Sequence, residues 1–559
     1  MTAPQDREQT PPSATPGFNA HPNVSPHRTP TTDVASDPCP EPPSEQPQST
    51  GPSYSVFEPW RKKSIVLASA VFALLSPVSA QIYLPALNDL AEAFDVSDAK
   101  INLTITTYMI FQGLVPMFIG SFADTFGRRP AYIICFTIYI AANIGLALAP
   151  DYASLLVLRC LQSAGSSSTV ALCIGVVADI VTSAERGQYV GFTSVPVVLG
   201  PSLGPVIGGL LVQYLGWRSI FWFLTIFGGV TMALLVLFFP ETGRKIVGDG
   251  SIQPPPIYRT LPQGLASRRA RNVLEKTDSR APKTKFKLPN PFSSMILLFE
   301  KSMGLLLTMG AVVFAGFYAI ATAMPTQLKK NYGLSDIQIG LMYLPMAGGS
   351  LGAAGFIGLT VNRNYARHCR RLGLPLDKKV QQDMTNFPIE RVRLEVGMPL
   401  LLISGIVVVA WGWAMKAQAH IAVICVLLFL MGVSLVGFSN VMNTLVSDIS
   451  RGRAATATAA NNLTRCLLGA AATAAIVPMI DGIGIGWAFT VFGALYVAAF
   501  PGLFLLMKKG MSWRQAEHDR RNKKHEARQH PESPVDVTVD SDTAQDTRDK
   551  PEKRDTNTE

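Results

Sequence analysis

Between about Ser64 and Met507 the chain carries twelve stretches of mostly apolar residues, each close to the roughly 20 residues a helix needs to cross a bilayer. They fall at about 64–86, 101–121, 131–149, 154–178, 188–212 and 219–239, then at 303–327, 337–360, 398–415, 420–446, 455–478 and 484–507. A length of 559 residues alone suggests several soluble domains, but the apolar runs overrule that. The predicted fold class is an all-α integral membrane protein of twelve transmembrane helices.

Composition agrees once it is read by position. Only 16% of residues are charged, against about a quarter in a soluble domain, and the deficit lies in the middle of the chain. The mean hydropathy of +0.24 averages that middle with two polar ends. The net charge of +10 would suit nucleic acid if it formed one basic face. It does not. The cations occupy alternate loops: Arg61, Lys62 and Lys63; Arg128 and Arg129; Arg186; the stretch from Arg268 to Lys287; Arg363 to Lys379; Arg451 and Arg453; Lys508 and Lys509. The intervening loops are poor in cations, with Arg218, Lys329, Lys330 and Lys416 as exceptions. This bias expects both termini in the cytosol. No nucleic-acid partner is expected.

Residues 1–58 are rich in Pro, Ser, Thr, Gln and Asp and contain no apolar signal segment. Residues 511–559 mix Lys, Arg, Glu, Asp and His. Neither composition can bury enough surface to offset its ordering entropy, so both read as disordered cytosolic tails. The seven cysteines are scattered, without a CxxC pair. No disulfide framework, metal site or cofactor is expected.

The chain also repeats itself. Pro85 is followed by Phe94-Asp-Val-Ser-Asp98 and an apolar run, and Pro325 by Tyr332-Gly-Leu-Ser-Asp336 and an apolar run. Val177-Ala-Asp179-Ile180 matches Val446-Ser-Asp448-Ile449. Two six-helix pseudo-repeats follow, over 59–240 and 303–510, joined by a cytosolic loop at 241–302. Repeated halves of this kind belong to transporters with a midplane site between them.

Four segments carry candidate chemistry. The loop after the second span reads Gly120-Ser-Phe-Ala-Asp124-Thr-Phe-Gly127-Arg128-Arg129-Pro130. Glycine suits the bend of a tight connection, and Asp179, at the matching end of the fourth span, is a partner for Arg128. The fourth span holds Arg159 and Gln162. A charge inside a membrane helix costs about 2.5–3.5 kcal/mol on insertion scales and is a functional candidate by default. Arg159 is also near enough to the expected boundary to snorkel, so both readings stay open. The fifth span reads Gly200-Pro201-Ser-Leu-Gly204-Pro205-Val-Ile-Gly208-Gly209. Glycines one turn apart allow close backbone approach, and proline kinks the helix. The eleventh span holds Asn461, Asn462 and Arg465. Counting inward at 1.5 Å per residue puts Arg465 about 15 Å deep, where a cation needs a carboxylate, carbonyls, water or an anionic substrate. No Asp or Glu lies mid-span, and Asn440 and Asn443 of the tenth span are neutral neighbours.

The loop from Gly120 to Pro130 resembles a signature of the major facilitator superfamily, with Phe122 where leucine is usual. The run from Gly200 to Gly209 resembles the antiporter signature of that superfamily's exporters, and Arg159 with Gln162 its fourth-helix motif. Ile82-Tyr-Leu-Pro85, Trp217-Arg-Ser-Ile-Phe-Trp222, Pro240-Glu-Thr-Gly-Arg244 and Asn461-Asn-Leu-Thr-Arg-Cys466 resemble the fungal twelve-span drug:proton antiporter group, in its quinidine-resistance-like branch. That branch includes plasma-membrane drug and weak-acid pumps and exporters of citrate and itaconate. The resemblance implies a latch made of Asp124, Arg128 and Asp179 against the start of the eleventh helix. It also implies a non-enzymatic exporter working by alternating access, expected as a plasma-membrane monomer. A pathway with arginines and no mid-span carboxylate favours an organic acid as cargo. A polyspecific drug:proton antiporter, with protons carried through rim acids such as Asp124 or Asp89, is the alternative. A non-transporting receptor on the same scaffold is a third reading.

Overall fold

Helix ends follow from local chemistry. Pro59 opens the first helix, where a missing N–H costs nothing. The Ser97 Oγ and Asp151 Oδ1 accept the N–H groups of Lys100 and Ser154 at 3.4 and 3.3 Å and start the second and fourth. Gly333, left-handed at φ 61°, stops the seventh. A computed structural model describes residues 55–181, 186–252, 254–255, 258–260, 293–373, 387–450 and 454–529. The expected tails through residue 54 and beyond 529, and most of the central loop, lie outside these residues.

The long helices are α1 Pro59–Gln81, α2 Asp98–Phe126, α3 Arg128–Ala147 and α4 Tyr152–Ile180, interrupted at Ser168. They continue with α5 Arg186–Leu215, α6 Arg218–Phe238, α7 Lys301–Tyr332 and α8 Asp336–Arg371, interrupted at Met342. The set closes with α9 Ile389–Lys416, α10 Ile421–Ile449, α11 Ala454–Ile483 and α12 Ile485–Gln529. Among the described residues eleven helices are long and apolar enough to span a membrane by the full run. The remaining position in the order belongs to α5, 30 residues long. The order, number and placement match the twelve expected spans.

Ends differ from expectation where polar turns remain helical. Rather than stopping near residue 360, α8 runs through its arginines to Arg371. The start of α9 is at Ile389, not near 398, because the buried Glu390 accepts from Arg514 Nε at 2.9 Å. The same bridge holds α12, which continues as helix to Gln529, so the expected disordered tail from 511 is corrected over 511–529. A short helix Leu87–Ala93 follows α1, and Arg244–Val247 and Ser293–Leu298 interrupt the central connection.

Within the first half α1 packs on α5, and α3 on α4 and α6; within the second, α7 packs on α11, and α9 on α12 and α10. The halves meet along α2 with α11 and α5 with α8. The face where α1 begins and α12 leaves carries Arg128, Arg363, Arg393 and Lys508, and is called the basic face below. Contacts between halves gather away from it. Thr106 and Thr473 hydroxyls are 2.9 Å apart, Thr326 donates to Asn88 at 3.0 Å, and Lys329 pairs with Asp89 at 3.1 Å.

Candidate substrate pathway and gates

The antiporter-like run on α5 is a seam of bare backbone. A Cβ on Gly200 would stand 2.4 Å from Pro77 Cβ, on Gly204 2.9 Å from Gln81 Cβ, and on Gly208 2.1 Å from the Ile82 carbonyl oxygen. These three glycines lay α5 onto α1. Gly209 faces the other half, with its absent Cβ 2.4 Å from the Asp336 carbonyl. Gly340 of α8 answers it, its Cβ position 2.5 Å from the Pro205 carbonyl. The Gln213 Oε1 accepts the Ile337 N–H at 3.1 Å beside this contact. The seam therefore joins the halves as well as packing α5, and Gly340 is a member the sequence reading missed. A signal was there: Gly340 follows Asp336 by one turn.

On the basic face, Gly127 is the bend. Its φ is +102°, and a Cβ would meet Glu241 Oε2 at 2.6 Å. Gly120 is not at the bend; it lies inside α2 and borders open space. Asp124 and Asp179 do not touch each other but share Arg128. Its Nη1 reaches Asp124 at 2.7 Å and its Nε reaches Asp179 at 2.8 Å. The Asp124 side chain remains 56% exposed, and residues 451–453, which lead into α11, lie outside the described set. Arg129 is turned the other way, donating to the Phe239 and Val236 carbonyls at 2.7 and 2.9 Å and so closing the end of α6. Glu241 completes the corner: its carboxylate accepts the N–H groups of Arg128, Arg129, Thr242 and Gly243 at 2.8–3.1 Å. A carboxylate at the start of α3 also meets the positive end of the helix dipole. Burial pushes the Glu241 carboxyl above its ordinary value, and the four N–H donors oppose that shift.

The second half repeats the corner. Arg393, in the first turns of α9, donates through Nε to Asp448 Oδ2 at 3.0 Å and covers the Tyr365 ring at 5.2 Å. Asp448 stands to α10 as Asp179 stands to α4. The cation comes from a helix rather than from a basic loop, which hid it from motif matching.

Arg159 is wholly buried. Its guanidinium lies between two rings, 4.0 Å from the Tyr83 centroid and 4.4 Å from that of Tyr108. Nη1 donates to Gln162 Oε1 at 2.5 Å, Gln162 donates to Asn143 at 2.6 Å, and Asn143 donates to the Tyr139 carbonyl at 2.7 Å. Arg159 Nε and Nη2 have no hydrogen-bond acceptor among the described residues. The side chain points into this cage, which excludes the snorkelling alternative. Arg465 is half-buried. It lies 4.3 Å from the Phe314 centroid, and its Nη2 donates to Asn462 Oδ1 at 3.2 Å. Its Nε is buried without an acceptor among the described residues. Asn462 is the link, because it also donates to the Gln112 carbonyl of α2 at 3.0 Å. Asn461 donates to the exposed Asn443 at 2.9 Å. Asn440 lies one turn before Asn443 on α10, its backbone carbonyl accepting from Thr444 at 2.7 Å. Arg159 and Arg465 thus occupy separate environments, one sealed by tyrosines and one open on one side.

Residues 69–474 match the model of the Major Facilitator Superfamily. The chain is 47% identical over 465 residues to the MFS-type transporter phiD of a fungal species, covering 83% of this chain and 70% of that protein. It is 42% identical to the MFS-type transporter tstD of Talaromyces stipitatus, over 86% of this chain and 88% of that one. It is 34% identical to Citrate exporter 1 of Aspergillus niger, over 86% of this chain and 92% of that protein. A bacterial homologue of the human lysosomal transporter Spinster, solved inward-facing and unoccupied, superposes with a TM-score of 0.55 at 14% identity, over 82% of this chain and 99% of that chain. The proton:xylose symporter XylE gives the same TM-score and identity over 80% of this chain and 95% of that chain. The chain is a multi-pass membrane protein that belongs to the Major Facilitator Superfamily.

Proposed function

We propose that this chain is a secondary exporter of an organic acid or other anionic metabolite, working outward by alternating access. The observation that carries this reading is Arg465. A half-buried guanidinium deep in α11 has, among the described residues, an acceptor-free Nε and no carboxylate partner. A buried donor without an acceptor costs about 1–3 kcal/mol, more when charged, and an arriving carboxylate removes that cost. The Phe314 ring covers the face of the guanidinium and takes none of its edge donors. Nη2 already donates to Asn462, so a two-pronged bond to a carboxylate draws on the remaining N–H groups as the side chain turns toward it. Similarity to a citrate exporter supports the same class of cargo. The glycine seam on α5 supports export. Alternate basic loops support both termini in the cytosol, and the contacts between halves then close the outer side, leaving the cargo site to load from within. The plasma membrane is the proposed location, and the chain acts as a monomer.

The test uses Arg465→Gln and Arg465→Lys at matched surface abundance. Arg465→Gln is expected to lower organic-acid efflux by about tenfold to a hundredfold, and Arg465→Lys to impair it severely, since an ammonium cannot reproduce the fork. Resistance to neutral or cationic drugs falls less. If Arg465→Gln loses drug resistance and exports acids normally, the polyspecific drug pump replaces this reading.

A further inference from the structure

The outward stripe of α8 changes chemistry along its length. Phe356 and Leu359 are 70% and 58% exposed. On the same helical face, at spacings of three, four and seven residues, follow Arg363, Arg367 and Arg370, with Arg371 beside them. Two to three turns beyond Glu395, α9 exposes Leu402, Ile403 and Ile406. The cleft between these helices has a volume of about 470 Å³ and is lined by Thr360, Arg363, Asn364, Arg367, Glu395 and Val396. The four arginines of α8 have no ion-pair or hydrogen-bond partner among the described residues. The cleft's carboxylate is already engaged: Glu395 accepts from Asn364 at 3.2 Å and Arg391 at 3.3 Å, and pairs with His368 at 2.8 Å.

Depth locates the cluster. About twenty helical residues cross the hydrocarbon, so the α8 stripe beginning at Asp336 leaves it shortly before residue 360. Arg363 and Arg367 then stand about 5–10 Å further along the axis, in the headgroup layer of the basic-face leaflet. We propose that this cleft binds an anionic phospholipid with a phosphomonoester headgroup. Arg363 and Arg367 grip the phosphate, Arg370 and Arg371 add field from above, and the acyl chains lie along Phe356, Leu359 and Ile406. A general positive bias in the loops accounts for cations at this level. It does not require a cleft, nor that unpartnered forks extend a lipid-facing apolar stripe. The site lies outside the pathway between the halves and is independent of the cargo.

The probe is phosphatidylinositol phosphate in phosphatidylcholine vesicles, with the full-length protein purified from them and bound lipid read by native mass spectrometry. The double variant Arg363→Gln/Arg367→Gln is expected to bind about ten- to thirtyfold less tightly, at roughly one lost cation contact per arginine. Lys508→Gln/Lys509→Gln, on the same face but outside the cleft, retains the affinity of the parent. An equal loss in both variants would reduce the effect to bulk surface charge and overturn the proposal, as would unchanged binding in the arginine variant. Thermal unfolding in phosphatidylcholine alone checks that the variant is folded. Should it fail to fold, Arg363→Lys/Arg367→Lys keeps the charge and removes the forks, and must still lose affinity. Soluble inositol phosphate is the remaining arm: if it displaces the lipid at matched concentration, the site takes free phosphate and the membrane assignment fails.

Discussion

Two arginines sit inside this membrane bundle, and their neighbours separate them. Arg159 is enclosed by the faces of Tyr83 and Tyr108, an arrangement that stabilises a desolvated cation by roughly 2 kcal/mol or more, and its one acceptor belongs to a chain of amides ending on a backbone carbonyl. Arg465 has one ring, the Asn462 amide and the neighbouring Cys466 thiol. A single glycine sets the geometry of the basic corner. Gly127→Ala forces a side chain at φ +102° and drives its Cβ onto Glu241. Its expected cost is about 1–3 kcal/mol, read as a lower thermal midpoint of the purified protein with no change in its apparent affinity for cargo. Sequence reading names Arg159, Gln162 and Arg465 because a charge in an apolar run is visible without a fold. It cannot name Tyr83, Tyr108 or Phe314. An aromatic in a membrane span looks the same whether it faces lipid, a neighbouring helix or a guanidinium, and these lie on other helices.

At the scale of elements, α5 shows what a local pattern does and does not carry. Glycines at 200, 204 and 208 declare a close-packed face, but the partner α1 and the second contact with α8 emerge only in space. Gly208→Ala places a methyl 2.1 Å from the Ile82 carbonyl, so flux is expected to fall at least tenfold while the protein still reaches the membrane. Gly204→Leu is expected to abolish flux. Normal efflux in a well-expressed Gly204→Leu protein would leave the seam without a role in transport. The ends of α9 and α12 were illegible for a related reason. The first turns of α9 bury Ile389, Val392 and Leu394, but Glu390, Arg391, Arg393 and Glu395 alternate with them and break the apolar run. Glu390 and Arg514, 124 residues apart, pair across the two ends.

For the whole molecule, the matched corners Arg128–Asp179 and Arg393–Asp448 brace each half internally on the basic face, while the halves touch through α2 with α11 and α5 with α8. The proposed alternating access requires those outer contacts to part once per cycle. Cysteines replacing Thr106 and Thr473, whose hydroxyls are 2.9 Å apart, are expected to form a disulfide under oxidation and stop flux. Reductant is expected to restore it, and persistent flux in the fully cross-linked protein would contradict the cycle. Deleting residues 1–50 is expected to leave flux per surface molecule unchanged, measured as efflux normalised to labelled protein at the membrane. The glycine seam bears on a different question, how such a protein tolerates change. Where α5 meets α1 and α8, the glycines at 208, 209 and 340 meet main-chain carbonyls, and those at 200 and 204 meet the first side-chain carbons of Pro77 and Gln81. At these five glycines the joint reads volume. In a saturation scan, positions 200, 204, 208, 209 and 340 should therefore reject substitutions in order of size, alanine included, with little regard to their chemistry. Positions around the proposed cargo site at Arg465 should sort by chemistry instead. Cargo preference can then drift across generations on a pivot that stays fixed.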